Sequence, residues 1–132
     1  MKKIALVFDD ISKDIGEKIY TDFQQYGIPI AQKGMIPVFS HADEDVILQS
    51  LREIICDASF VIGVSSSGNG IAIYVNKLPG FNAAPITSLS DAMSAINLFE
   101  ANAFDISANN IDASIIYKEL VEKSGGCKNE ME

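Results

Sequence analysis

Short apolar runs rich in β-formers alternate along this chain with longer segments whose apolar residues recur every three or four positions, and the strand-then-helix order repeats five times. That alternation constrains the fold more than any other feature. Strands separated by helices can join one sheet only through crossover connections, which makes neighbouring strands parallel, the crossovers right-handed and both faces of the sheet helix-covered. The pattern predicts an α/β fold: a three-layer, doubly wound, Rossmann-like or flavodoxin-like sheet of five parallel strands.

Ile4 to Phe8 reads as a buried strand, followed by a helix with Ile15, Ile19 and Phe23 on one face that ends near Gly27. Ile28 to Ala31 is the expected second strand. Val46, Ile47, Leu51, Ile54 and Ile55 mark the next helix, Phe60 to Val64 the third strand, and Gly70 to Lys77 a short helix closed by Pro79 and Gly80. A fourth strand is expected within Phe81 to Thr87, weakened by Pro85, which cannot donate to a ladder. Ala92, Met93, Ile96 and Phe99 then mark a helix, Ala103 to Ile106 the last strand, and Ile111, Ile115, Ile116, Leu120 and Val121 the last helix, stopped by Gly125 and Gly126. Residues 1–126 read as one domain and 127–132 as a polar tail.

Composition removes several functions. Ten Lys and Arg against eighteen Asp and Glu give a net charge of −8, a surface that repels phosphate backbones and anionic lipid, so neither nucleic acid nor membrane is expected as a partner. The run after Lys2 and Lys3 is cut short by Asp9 and Asp10 before it could form a signal-peptide core, and no apolar stretch approaches the roughly 20 residues of a membrane span. His41 is the only histidine and Arg52 the only arginine, which leaves little room for a Ser-His-Asp triad or a multi-histidine metal site. Cys56 and Cys127 form neither a disulfide framework nor a zinc pattern and suit a reducing cytoplasm.

In a doubly wound sheet, ligands lie beyond the carboxyl ends of the strands where the winding reverses, between strands one and three in the flavodoxin-like order. Strand one runs into Asp9, Asp10, Ile11 and Ser12, and strand three into Ser65, Ser66, Ser67, Gly68, Asn69 and Gly70. Small residues and glycines opening a helix expose backbone N–H groups toward a phosphate or a developing oxyanion. A tight strand-to-helix turn that binds nothing has the same composition.

The run Ser67-Gly68-Asn69-Gly70, followed by Ile73, Asn76, Lys77, Pro79 and Gly80, resembles without a gap the S-G-N-G-x-x-I-x-x-N-K-x-P-G segment of the ribose-5-phosphate isomerase B and galactose-6-phosphate isomerase family. The opening strand ending in Asp9 is similar to the family's first strand with its site aspartate, and Asn102 matches an asparagine before its fifth strand. The resemblance implies a cytoplasmic aldose–ketose isomerase that needs no cofactor and no metal. It would open the ring of a pentose or hexose phosphate and move a proton between neighbouring carbons through an enediolate held by the glycine loop. It also implies sites shared between protomers, hence a homodimer or tetramer, or a hetero-oligomer with a related subunit.

On this resemblance the catalytic candidates are Ser65, Asp9 and Asp10, and the substrate-binding candidates are Ser66, Ser67, Gly68, Asn69, Gly70 and Lys77. The chain departs from the family at several positions. Ser65 stands where one branch has a cysteine base, and Ile71 where another has a glutamate; an unactivated hydroxyl is a poor base and Ile71 is none. The ring-opening histidine falls near Leu98 or Phe99, an arginine is replaced by Asn82, Gly-Gly-Arg-His reads Gly125-Gly126-Cys127-Lys128, and the histidine after the first aspartate is Asp10. Asp9 and Asp10 could form a coupled pair that supplies a base, or, as successive residues, point different ways. Lys77 could neutralise an anion or be solvated, and His41 could contact a ligand or be an exposed loop residue. A catalytically inert anion-binding module is the competing class. A phospho-receiver fails, because strand three ends in Val64-Ser65 rather than an aspartate and strand five ends without a lysine.

Overall fold

The computed structural model describes residues 3–40 and 42–124; His41 and the segment 125–132, with the expected helix stop at Gly125 and Gly126 and the tail with Cys127, lie outside the described residues. The elements follow in the order β1 (Ile4–Asp9), α1 (Lys13–Tyr26), β2 (Gln32–Ile36), α2 (Glu44–Ile55), β3 (Phe60–Ser65), α3 (Gly70–Val75), β4 (Ala83–Pro85), α4 (Leu89–Phe99), β5 (Ala103–Ser107) and α5 (Ala113–Ser124). The strands form one five-stranded sheet in the order β2-β1-β3-β5-β4, every pairing parallel.

Right-handed crossovers decide where the helices go. The steps from β1 to β2 and from β4 to β5 run one way across the sheet, and those from β2 to β3 and from β3 to β4 run the other. Helices α1 and α4 therefore share a face with α5, while α2 and α3 cover the opposite face. The core divides accordingly. Ile4, Leu6, Phe8, Ile62, Val64, Phe104 and Ile106 pack with Ile19, Phe23, Ala92, Ala95, Tyr117 and Leu120. Ala5, Val7, Val61 and Ala103 pack with Ile47, Leu51, Ile55, Ile71 and Val75.

The doubly wound sheet is the expected one, with two differences of detail. In a flavodoxin-like order β4 would lie beside β3; here β5 lies there and β4 is the edge. Burial and proline explain the exchange. β5 is buried along nearly its whole length and suits the interior, whereas β4 is a three-residue strand ending in Pro85, which has no ladder donor to offer and is tolerated at an edge. The second strand lies at Gln32–Ile36, not at Ile28 to Ala31. The apolar start of that run is used to close α1: Gly27 is left-handed at φ 75°, and its N–H and that of Ile28 cap the carbonyls of Gln24 and Phe23. Pairing with β1 then falls to the more polar residues that follow, as suits an edge strand.

Four apolar positions read as helix faces are exposed. Phe99 is 67% exposed, because the buried face of α4 is formed by the small Ala92 and Ala95 and the helix ends at Glu100, left-handed at φ 57°. Ile111 is 94% exposed and precedes α5, whose inward stripe is Ala113, Tyr117, Leu120 and Val121, with Ile115 turned outward. Val46 lies in the first turn of α2, outside its Ile47–Leu51–Ile54 stripe.

Candidate functional site at the carboxyl edge of the sheet

Winding reverses on both sides of β3: its connection goes to the α2–α3 face, while those of β1 and β5 go to the other. The loop after β3 therefore emerges between the two, and its residues are tied to both. Asp9, buried at the end of β1, accepts from the N–H of Ser12 in its own turn (2.9 Å) and from the N–H of Ser66 in the β3 loop (2.9 Å). Asp10 serves a different loop, its two carboxylate oxygens accepting from the N–H of Phe39 at 2.9 and 3.1 Å. The two aspartates are thus directed to separate loops.

Within the β3 loop, Gly68 adopts φ +82°, a conformation that side chains with Cβ rarely take, and a Cβ there would lie 3.3 Å from the Ser107 side chain. This turn lets the Gly68 N–H donate to Ser65 Oγ at 3.0 Å. Ser67 Oγ caps the start of α3 by accepting from the N–H groups of Asn69 (3.3 Å) and Gly70 (2.9 Å). A cavity of about 350 Å³ opens beside Ser67, Gly68 and Asn69, walled across from them by Pro85, Thr87 and Ser107. Among the described residues no cationic side chain lines it. Lys77 is directed elsewhere, onto Glu44 of α2 in a half-exposed ion pair. Ser12 Oγ, buried next to Asp9, has no hydrogen-bond partner among the described residues.

Beneath the loop lies a group that the sequence reading passed over. Alternation along β3 and β5 turns Ser65 and Asp105 to the α3 face, and the register sets Asp105 opposite Gly63, where the absence of a Cβ leaves room for the Ile71 side chain of α3. Ser65 and Asp105 are both 0% exposed. Ser65 Oγ donates to the carboxylate, 2.9 and 3.0 Å from its oxygens, and the Ala72 N–H donates to it at 3.0 Å. No Lys, Arg or His among the described residues pairs with Asp105. Burial pushes its carboxyl up to about 6, opposed by the N–H groups of Ala72 and Ile71 and the Ser65 hydroxyl, with the Asp9 charge adding slightly to the rise. The signal was present in the sequence: a single acidic residue inside the apolar run Ala103 to Ile106, where β-propensity alone would exclude it.

Two of the asparagines that carry the resemblance, Asn76 and Asn102, have structural partners. The Asn76 carboxamide exchanges two hydrogen bonds with the backbone of Ala83 (2.8 and 3.0 Å), and Asn102 joins Asn82 and Gly80, so both fix edge strand β4. Leu98, Phe99 and Asn82 lie where helices and loops re-enter the sheet, at its amino edge, opposite the β3 loop. Among the described residues no group of three or more His, Cys, Asp or Glu is placed to hold a metal ion, and no helix is long and apolar enough to cross a membrane.

The winding, the strand order and the glycine-bearing turn at the reversal point define a doubly wound α/β protein with its candidate site at the carboxyl edge. Within that class the chain belongs to the Ribose/Galactose Isomerase family, whose model matches residues 4–123. The fold is similar to that of ribose 5-phosphate isomerase from Thermotoga maritima, at 20% identity and a TM-score of 0.63 over 92% of this chain and 83% of that one. It is similar as well to the type B enzyme of Leishmania infantum (21% identity, TM-score 0.67, 90% and 82% covered). The Mycoplasma genitalium ribose-5-phosphate isomerase B with bound ribulose-5-phosphate aligns at 15% identity and a TM-score of 0.63, covering 92% and 85%. No curated protein sequence matches the chain.

Proposed function

We propose that this protein interconverts the aldose and ketose forms of a pentose or hexose phosphate through an enediolate, in an assembly of two or more subunits. The observation that carries the reading is the Ser65–Gly70 loop at the winding reversal, in a chain of the Ribose/Galactose Isomerase family. The sugar would enter the cavity beside Ser67–Asn69, where hydroxyl and carboxamide groups of Ser67, Asn69, Thr87 and Ser107 suit a polyol. The phosphate needs cations that this cavity lacks. A second protomer, or a related subunit, would supply them, and the exposed Leu98 and Phe99 at the opposite edge are apolar surface available to such a contact. A cytoplasmic location suits the exposed free thiol of Cys56.

One observation favours a second reading, a binding module without turnover. Ser66, Gly68, Asn69, Gly70 and Ala72 already have acceptors for their N–H groups within the protein, leaving few donors for an oxyanion. Calorimetric titration with ribose 5-phosphate and galactose 6-phosphate, paired with proton NMR in deuterated water, separates the two. Binding with loss of a carbon-bound proton signal supports isomerisation; binding without it supports the module. Absence of binding to either sugar phosphate, by the chain alone and by the chain mixed with a related subunit, would refute both.

A further inference from the structure

The Ser65–Asp105 pair gives the site a proton acceptor of its own. We infer that Asp105, acting through the Ser65 hydroxyl, takes up the carbon-bound proton during enediolate formation; the inference rests on the isomerase reading above and assigns the base that reading lacks.

The geometry carries the argument. Ser65 Oγ already directs its proton at the carboxylate, within 3.0 Å of both oxygens. Its remaining contact is the Gly68 N–H at 3.0 Å, from the loop side, where the cavity begins. Turning the Gly68 peptide away uncovers an oxygen lone pair facing the cavity, and glycine has the backbone freedom for that rotation. A buried brace for the α3 turn has no need of charge. A carboxylate that no cation among the described residues offsets is the more expensive choice, and sites of proton transfer are where such groups concentrate.

The step balances without a co-reactant. The proton on the carbon next to the sugar carbonyl passes to Ser65 Oγ as the Ser65 hydroxyl proton passes to Asp105. The C–H electron pair becomes the new C=C bond and the carbonyl π pair moves onto oxygen. Asp105 is then a neutral acid and Ser65 is a hydroxyl again. The hydroxyl proton of the enediolate then passes from its oxygen to the neighbouring oxyanion, and return of the Asp105 proton through Ser65 to the neighbouring carbon, as the second oxygen becomes the carbonyl, completes the isomerisation. Asp105 does not touch the substrate and is in that sense a positioning residue for Ser65 and the end of its proton path. The titratable groups that face it are Asp9, whose charge raises its proton affinity, and Tyr117, whose hydroxyl proton is held by the carbonyl of Gly63 at 2.6 Å. The acceptor is active when deprotonated, so the rate should rise with pH through about 6 and then level.

The test is deuterium incorporation at the exchanging carbon of ribose 5-phosphate and of galactose 6-phosphate by the full chain in deuterated water, followed by NMR from about pH 5 to about pH 10, across both the carboxyl and the thiol range. Wild type should exchange at least one of them along that profile. Asp105→Asn and Ser65→Ala should each lower exchange by about 10²-fold or more while binding the sugar phosphate as before. Ser65→Cys should restore exchange with its midpoint moved up toward the thiol range near 8.5, which a purely structural role for the pair would not produce. Should Asp105→Asn fail to fold, the contrast between Ser65→Ala and Ser65→Cys decides. The inference is overturned if Asp105→Asn exchanges at the wild-type rate and profile, or if wild type binds a sugar phosphate yet exchanges nothing. The latter leaves the binding reading standing, and failure to bind either compound, by the chain alone and by the chain mixed with a related subunit, removes both.

Discussion

Replacing Asp105 by Asn should change how stability depends on pH in a way that can be worked from the structure. Burial raises the carboxyl from 3.8 to about 6, a difference worth about 3 kcal/mol between its protonation states. Because the folded value lies above the unfolded one, the native state takes up this proton first as pH falls. Asp105 therefore destabilises the fold above pH 6, and stability returns as pH drops through 6, completely only near the unfolded value. Between pH 7 and pH 5 the gain is about 1.3 kcal/mol. Asn removes the titration while keeping the shape. Its effect at pH 7 combines two opposed contributions: relief from burying a charge, and the meeting of its NH₂ with donors such as the Ala72 N–H and the Ser65 hydroxyl, which the carboxylate accepts. The decisive quantity is thus the slope. Urea unfolding of both proteins at pH 7, 6 and 5 gives it, since every other carboxyl is common to the pair and cancels in the difference. Wild type should gain about 1.3 kcal/mol on the variant between pH 7 and 5. Curves that stay parallel over this range would refute the claim that burial of Asp105 dominates its titration.

Asp9→Ala should destabilise by about 1–3 kcal/mol in the same urea assay, because it leaves the Ser66 N–H without its acceptor, while the Ser12 N–H keeps the Asp9 carbonyl oxygen at 3.1 Å; an unchanged midpoint would mean the two loops are held by other contacts. Gly68→Ala places a Cβ at φ +82° and 3.3 Å from the Ser107 side chain, and thermal unfolding should register about 1–2 kcal/mol of strain; an unchanged midpoint would show the turn to be relaxed. Tyr117→Phe should lower stability by about 1 kcal/mol, since the Gly63 carbonyl loses its 2.6 Å donor, and the urea midpoint reads it. Sedimentation at tens of micromolar should give a dimer or larger species, and a monodisperse monomer would remove the shared-site arrangement.

The winding of the sheet was legible because period alone separates buried strands such as Phe60–Ser65 from amphipathic helices such as Glu44–Ile55. The second strand was misplaced because the apolar Ile28 serves a helix cap, a use that hydrophobicity does not distinguish from strand burial. Phe99 and Ile111 read as helix faces for the same reason: one chain cannot signal that an apolar position is left outside. At the candidate site, the loop from Ser65 to Gly70 was legible by composition. The partners of Asp9 and Asp10 were not, since adjacent residues on a strand end can serve two different loops. Asp105 stands in the sequence only as one acid within an apolar run; that it reaches Ser65 follows from the pairing of β3 with β5, which the sequence does not display.

The measurement that tests the account most directly is titration of the isotopically labelled protein with ribose 5-phosphate and galactose 6-phosphate, following backbone amide shifts by NMR. With the sugar at the carboxyl edge, the largest changes for at least one of them should fall on Ser66 to Gly70 and on Ser107, around the cavity there. Changes confined to the opposite edge, around the crevice lined by Lys3, Ala31, Glu53 and Ala58, would contradict it.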